Sequence, residues 1–174
     1  PRNEIELRNI LYTAQLGLKN PIAIRYPRGT GNIIEWQKPF EKLEIGKGIC
    51  LKEGSNSAVL SIGTISKNVS DAISLLDNKD EISHYDMRFV KPLDENLLHD
   101  IFKKNKTIFT IEDGTIKGGF GTGILEFASE NNYQNRIKLI GIPDNFIEHG
   151  SVSQLQHKIG LDANSLANIF KLYS

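Results

Sequence analysis

Two arginines within five residues, Arg25-Tyr26-Pro27-Arg28-Gly29, are the side chains of this sequence best suited to chemistry. The apolar run Pro21-Ile22-Ala23-Ile24 leads into them and predicts a short strand, and a stretch rich in Gly and polar residues leads away. Open α/β sheets bind their ligands at the carboxyl ends of strands. A guanidinium presents a rigid fork of donors that matches a phosphate or a carboxylate, and Pro27 stiffens the backbone between the two. The pattern suits an anion-binding site. It also suits arginines paired with carboxylates at a domain junction, the commoner use of such residues, and residue type and spacing leave both readings open.

Other constellations carry less. Gly118-Gly119-Phe120-Gly121-Thr122-Gly123 stands between a strand and a helix, where glycines can expose backbone N–H groups to a phosphate. It lacks the Gly-Lys-Ser/Thr ending and the dinucleotide spacing, so tight helix packing or a subunit contact is the simpler reading. Glu112-Asp113 precede it, but adjacent strand residues face opposite ways, which makes a poor catalytic pair and leaves one of them to cap or to pair with a base. Gly63-Thr64 is a turn of the same kind. His84, His99, His149 and His157 have no ligand spacing, and no Ser/His/Asp or Cys/His arrangement is visible. No catalytic residue, cofactor ligand or metal ligand is assigned within this segment.

The elements that would hold these residues read as follows. Asn3 is placed to cap a helix over about Glu4 to Leu16, with Glu6 completing a capping box and Leu7, Ile10, Leu11, Ala14 and Leu18 on its apolar face. Residues 1–28 thus form one αβ unit, which cannot bury both of its faces by itself. Residues 29–47 read as a linker pinned by Trp36 and Phe40. Gly48 to Lys52 and Ala58 to Ile62, joined by Glu53-Gly54-Ser55-Asn56-Ser57, predict an antiparallel hairpin. Three strand–turn–helix units follow. The first helix turns Val69, Ala72, Ile73 and Leu76 inward; the second follows a strand over His84 to Phe89 and is capped by Asp94, with Leu97, Leu98, Ile101 and Phe102 inward; the third follows Thr107 to Ile111 and carries Ile124, Leu125 and Ala128. A last strand spans Ile137 to Ile142. Ser151 with Gln154 opens a helix bearing Val152, Leu155 and Ile159, Gly160 ends it, and Asp162 caps another with Leu166, Ile169 and Phe170. The expectation is an α/β fold of three layers, α/β/α, with a mostly parallel sheet and an antiparallel edge strand over residues 48–174.

Composition sets limits. The chain has 174 residues, with 21 basic and 21 acidic side chains, so its zero formal charge gives no bulk attraction to nucleic acid or to an anionic membrane. The single cysteine, Cys50, has no internal disulfide partner and points to a reducing, cytoplasmic setting, packed in the apolar run around it. No run approaches the roughly 20 apolar residues of a membrane span. Pro1 runs almost directly into a helix, as though more chain preceded it.

Six motifs then line up. Arg25-Tyr26-Pro27-Arg28-Gly29, Ile45-Gly46-Lys47-Gly48, Arg88-Phe89-Val90-Lys91-Pro92-Leu93-Asp94, Glu112-Asp113-Gly114 with Gly118-Gly119-Phe120-Gly121, Gly141-Ile142-Pro143-Asp144 and Gly160-Leu161-Asp162 fall in the order and spacing of one family. The chain resembles the 1-deoxy-D-xylulose-5-phosphate synthases of the thiamine-dependent transketolase superfamily over essentially its whole length. The resemblance implies a remnant of the pyrimidine-binding domain (residues 1–28), the linker (29–47) and the whole C-terminal domain (48–174) of a three-domain, dimeric enzyme. It implies condensation of pyruvate with glyceraldehyde 3-phosphate, with thiamine diphosphate and Mg²⁺ held by N-terminal and pyrimidine-binding parts. The diphosphate and metal motif, the catalytic histidines and the cofactor-activating glutamate of that family have no counterpart here, so the segment alone is expected to be inactive and to hold no cofactor. Arg28 matches the family arginine that binds the phosphorylated aldehyde, and Arg25 is a second choice. Glu112, Gly118, Gly119 and Phe120 are the implied candidates for the dimer contact. A purely structural dimerisation module, transketolase itself and the β subunit of a 2-oxo acid dehydrogenase are the alternatives.

Overall fold

The short apolar runs from Ile49 onward become strands of one sheet, and the segments of helical period between them cover both of its faces. The computed structural model describes residues 1–29, 31 and 36–173. In chain order the elements are α1 (Glu4–Gln15), β1 (Ile49–Lys52), β2 (Ser57–Ile62), α2 (Ser66–Ser74), a 3-10 turn (Lys79–Glu81), β3 (Ile82–Asp86), α3 (Glu95–Lys104), β4 (Thr107–Thr115), α4 (Phe120–Glu130), β5 (Arg136–Ile142), α5 (Val152–Lys158) and α6 (Ala163–Tyr173). The strands lie in the order β1-β3-β2-β4-β5, with β1 antiparallel to β3 and the other neighbours parallel. This is the three-layer, mostly parallel arrangement with an antiparallel edge strand that the alternation of strands and helices predicts.

Successive residues of β2 and β4 feed opposite layers. Val59, Phe109 and Ile111 pack with Val69, Ala72 and Ile73 of α2 and with Leu166 and Phe170 of α6. Ala58, Leu60 and Ile108 pack with Leu98, Ile101 and Phe102 of α3 and with Ile124, Phe127 and Ala128 of α4. The caps at Asn3, Asp94 and Ser151 form, the last as a full capping box with Gln154, but the box expected of Asn3 with Glu6 does not, because the Glu6 carboxylate accepts from Arg2 and Arg88 instead.

Several expectations are corrected. The hairpin does not form: β1 pairs with β3 instead of β2. All five residues of β3 are buried, which suits an inner position, whereas β1 is half exposed and suits the edge. The connection from β1 to β2 must cross the start of β3, and Gly54 permits it, since a Cβ there would sit 2.3 Å from the backbone of Ile82 and Ser83. Ser55 and Asn56 N–H groups secure the crossing on the Glu81 carbonyl at 3.2 and 2.9 Å. Cys50, expected to pack inward, is exposed on this edge strand. Leu125 and Val152 are likewise exposed, and α5 buries no residue.

The N-terminal part differs most. No strand forms over Pro21 to Ile24, because no described strand lies beside it to complete a ladder. Helix α1 docks by a polar stripe of Glu6, Asn9 and Thr13 around Ile10, while Leu11 stays 42 % exposed. The segment that follows lies on that stripe. Glu41 and Leu43 N–H groups donate to Asn9 Oδ1 and Thr13 Oγ1 at 3.1 and 2.8 Å. The Arg8 guanidinium stacks on Trp36 and Phe40, and Tyr12 stacks on Phe40 at 5.1 Å, so the two aromatics do pin this stretch. Thr30, residues 32–35 and Ser174 lie outside the described residues.

Candidate functional site

Strand order selects the place to look. β2 leads to β3 on one side of itself, and the chain after β3 returns to β4 on the other, so the carboxyl ends of β2 and β4 form the switch point where open α/β sheets accept ligands. Arg25 reaches this edge: its Nη2 donates to the backbone carbonyl of Asp113, in β4, at 2.9 Å. Arg28 is exposed and makes no ion pair among the described residues. Neither arginine is paired with a carboxylate there.

The glycine-rich turn beyond β4 is filled from inside. Glu112 is buried, and its two oxygens accept the N–H groups of Phe120 and Gly121 at 2.9 Å each, so the amino end of α4 already holds an anion. A Cβ at Gly119 would fall 2.2 Å from the Thr115 carbonyl oxygen and 2.3 Å from Glu112 Oε2. Close packing thus requires Gly119 against Glu112 and Gly121 against Thr110 and Leu139, while Gly118 takes a left-handed φ of 71° with open space around it, and the turn is a poor cradle for a diphosphate. Phe120 points into the core at 2 % exposure, whereas Gly118 is on the surface.

A second buried carboxylate sits across β2. Ser61 pairs with Asp86 on one side and Ile62 with Glu112 on the other, so the two acids flank the end of β2, roughly 10 Å apart by strand spacing. Asp86 meets Glu6 of α1. Arg88 Nε donates to Glu6 Oε1 at 2.8 Å, the Arg88 N–H donates to Asp86 Oδ1 at 3.1 Å, and Arg2 Nε lies 3.3 Å from Asp86 Oδ2. The bond to Asp86 holds Arg88 in a left-handed conformation, φ 55°, that non-glycine residues rarely adopt. Burial, then the charge and hydrogen bond of Glu6, push the Asp86 carboxyl up to about 7. Burial would push Glu6 up as well, but its hydrogen bond to Asp86 and the Arg88 and Arg2 charges outweigh it and hold Glu6 below the usual carboxylate range. The arginine–carboxylate junction considered for Arg25 and Arg28 therefore exists, but Arg2 and Arg88 make it. Its traces in the sequence were the polar stripe on α1, hidden by the apolar period read for that helix, and the Asp86-x-Arg88 pair at the end of β3.

His84, also buried, faces Ser61 Oγ and Ser66 Oγ at 2.8 and 3.5 Å through Nε2 and Ser70 Oγ at 3.3 Å through Nδ1. His149 is exposed in its loop, and His99 contacts the Tyr133 hydroxyl at 2.8 Å. Among the described residues no group of three or more His, Cys, Asp or Glu could hold a metal ion, and no helix is long and apolar enough to cross a membrane.

Residues 46–166 match the family model of the transketolase C-terminal domain. The chain belongs to that family. This transketolase C-terminal domain is similar to the 1-deoxy-D-xylulose-5-phosphate synthases of Bacteroides fragilis (51 % identical), Phocaeicola vulgatus (48 %) and Bacillus cereus (41 %), each over 97 % of the chain. It spans about a quarter of the length of these curated relatives, 26–27 %. A solved structure described as a split-gene transketolase, an inactive β4 tetramer, superposes with a TM-score of 0.84 and 26 % identity, covering 99 % of this chain and 55 % of that one.

Proposed function

We propose that this transketolase C-terminal domain is the carboxyl-terminal part of a 1-deoxy-D-xylulose-5-phosphate synthase, which joins pyruvate to glyceraldehyde 3-phosphate with loss of carbon dioxide to supply isoprenoid, thiamine and pyridoxal precursors. The carrying observation is 41–51 % identity to proteins of that name over 97 % of the chain. The lone thiol of Cys50 goes with a cytoplasmic setting.

Thiamine diphosphate and Mg²⁺ serve this chemistry, yet the residues present do not fit them. Glu112 occupies the one glycine-rich helix end, and no metal-ligand group occurs among the described residues. The cofactor belongs to parts of the longer enzyme, and this domain alone is inactive.

What this segment contributes is recognition of the phosphorylated aldehyde by Arg28, with Arg25 as the weaker choice. Support comes from the Arg25 bond to the Asp113 carbonyl, which brings the motif to the carboxyl edge of the sheet, and from the exposure of Arg28 beside it. A charge-assisted arginine–phosphate contact contributes roughly 1.5 to 3 kcal/mol. Arg28→Ala in the complete enzyme should raise the KM for the aldehyde by about tenfold to over a hundredfold while pyruvate decarboxylation persists. Unchanged aldehyde kinetics would exclude the assignment.

A second reading, that the domain also serves association, is favoured by exposed apolar side chains along one stretch: Leu11, Leu16, Tyr26, Trp36 and Phe40. They fit contacts with the rest of the synthase and with a second copy in a homodimer.

A further inference from the structure

Residues 17–29 have one polar attachment to the domain. The stretch contains no helix or strand, and all of it except Leu18 and Ile24 is exposed. Among the described residues its one hydrogen bond to the rest of the chain runs from Arg25 Nη2 to the Asp113 carbonyl, at 2.9 Å. That carbonyl is open to a donor from outside the sheet. β2 pairs with β4 only as far as Glu112, and the register of β4 with β5 lapses between Ile111 and Thr115, so Asp113 has no register partner on either side. The lapse is rigid. A Cβ at Gly141 of β5 would lie 2.8 Å from the Gly114 carbonyl oxygen and 3.0 Å from Glu112 Cγ, and Glu112 is itself fixed by its two bonds to α4. Irregularities of this kind recur at the ends of strands beside functional sites, where they re-aim a group. Arg25 is thus anchored on a fixed, neutral acceptor. Arg28 follows three residues later, no farther than about 11 Å along the chain, with Pro27 fixing φ between the two.

We infer that Arg25 is a positioning residue: its bond to the Asp113 carbonyl pins the Arg25–Gly29 segment to the carboxyl edge of the sheet and holds the Arg28 guanidinium where the phosphorylated aldehyde meets it, a role that rests on the contact proposed above between Arg28 and that phosphate.

The acceptor separates this role from direct binding. A phosphate takes two parallel N–H bonds from a guanidinium, an arrangement that lysine does not reproduce. A lone carbonyl takes a single N–H, which an ammonium supplies as well. The bond is on the surface of this chain, so its loss carries the effect of one hydrogen bond to a neutral acceptor, about three- to tenfold in binding. The phosphate is remote from the reacting carbonyl carbon. An interaction made alike in the ground and transition states acts on KM and not on kcat, and the loss should therefore appear in the KM for the aldehyde.

Steady-state kinetics of the complete enzyme with glyceraldehyde 3-phosphate test the role. Arg25→Met keeps the stem, removes the donors and should raise the aldehyde KM about three- to tenfold, whereas Arg25→Lys should stay within about twofold of the wild type. In an Arg28→Ala background Arg25→Met should add nothing, because the support has nothing left to hold. An unchanged KM in Arg25→Met overturns the role. So does an effect that multiplies with that of Arg28→Ala, which makes Arg25 a ligand in its own right. Should Arg25→Met fail to fold, Arg25→Lys decides: a KM within about twofold of the wild type supports positioning, and a larger rise refutes it. Trypsin gives a readout independent of activity, since cleavage of the native enzyme after Arg28 should quicken several-fold in Arg25→Met and not in Arg25→Lys. Unchanged cleavage overturns the attachment. Quickened cleavage, with aldehyde kinetics untouched by Arg28→Ala, supports the attachment and removes only the phosphate contact of Arg28.

Discussion

One oxygen of the Glu112 carboxylate lies 2.9 Å from the backbone nitrogen of Phe120, and the other lies at the same distance from Gly121. A residue inside β4 thus caps α4, whose own N-cap position is Gly119 and has no side chain to offer. The positive end of the helix is satisfied by a fixed anion of the domain, which is why the glycines beside it serve packing and not a phosphate.

Glu112→Ala should therefore cost about 2 to 3 kcal/mol, because two buried N–H groups lose their acceptor. Glu112→Gln keeps one acceptor and should cost roughly half as much. Denaturant midpoints of the two variants check the order; an alanine variant as stable as the wild type would show that water replaces the carboxylate at no cost.

The turn between β4 and α4 can be tested as a subunit contact only away from Gly119. Any side chain there meets the Thr115 carbonyl and Glu112, so a bulky substitution breaks the turn before it reports on an interface. Lys117 is the better probe: its side chain is 74 % exposed and its ion pair with Asp144, 3.0 Å, is worth little. Lys117→Trp should leave stability within about 0.5 kcal/mol. If the turn is at the dimer contact, light scattering should show a shift from dimer to monomer in the complete enzyme; a dimer of undiminished affinity places the contact elsewhere.

Most of the sheet could be read from the sequence because its order is local: apolar runs such as Ala58 to Ile62 and Thr107 to Ile111 are flanked by turns and by helices whose inward faces keep a 3.6-residue period. What could not be read depends on distant partners. β1 takes the edge of β3 and not its sequence neighbour β2, a choice made by burial of β3 and by the missing side chain of Gly54. The stripe Glu6, Asn9, Thr13 resembles a solvated face until Arg88 and Leu43 meet it, 82 and 30 residues away in the sequence. The Glu112 cap spans eight residues, beyond the reach of any local capping pattern. The arginine motif was visible as chemistry but not as geometry, because its expected strand has no described neighbour to pair with.

His84 and Asp86 should give the domain opposing pH dependences. Burial, reinforced by the Arg2 charge, lowers His84 from 6.5 to about 4. Below pH 6.5 the unfolded chain takes up a proton that the folded chain refuses, so this group costs stability as pH falls from 6.5 toward 4, by at most roughly 3 kcal/mol. Asp86 works the other way: its folded value is raised, so its contribution is fullest near its ordinary 3.8 and is lost as pH climbs to about 7. Between pH 4 and 6.5 the two slopes oppose, and the wild type should vary little from these two groups. Asp86→Asn leaves His84 acting alone, and stability should then rise with pH across that window. His84→Gln leaves Asp86 alone, and stability should fall. Thermal midpoints of the three proteins at several pH values from 4.5 to 7.5 measure the slopes, and parallel profiles in all three would contradict a buried neutral histidine set against a protonated aspartate.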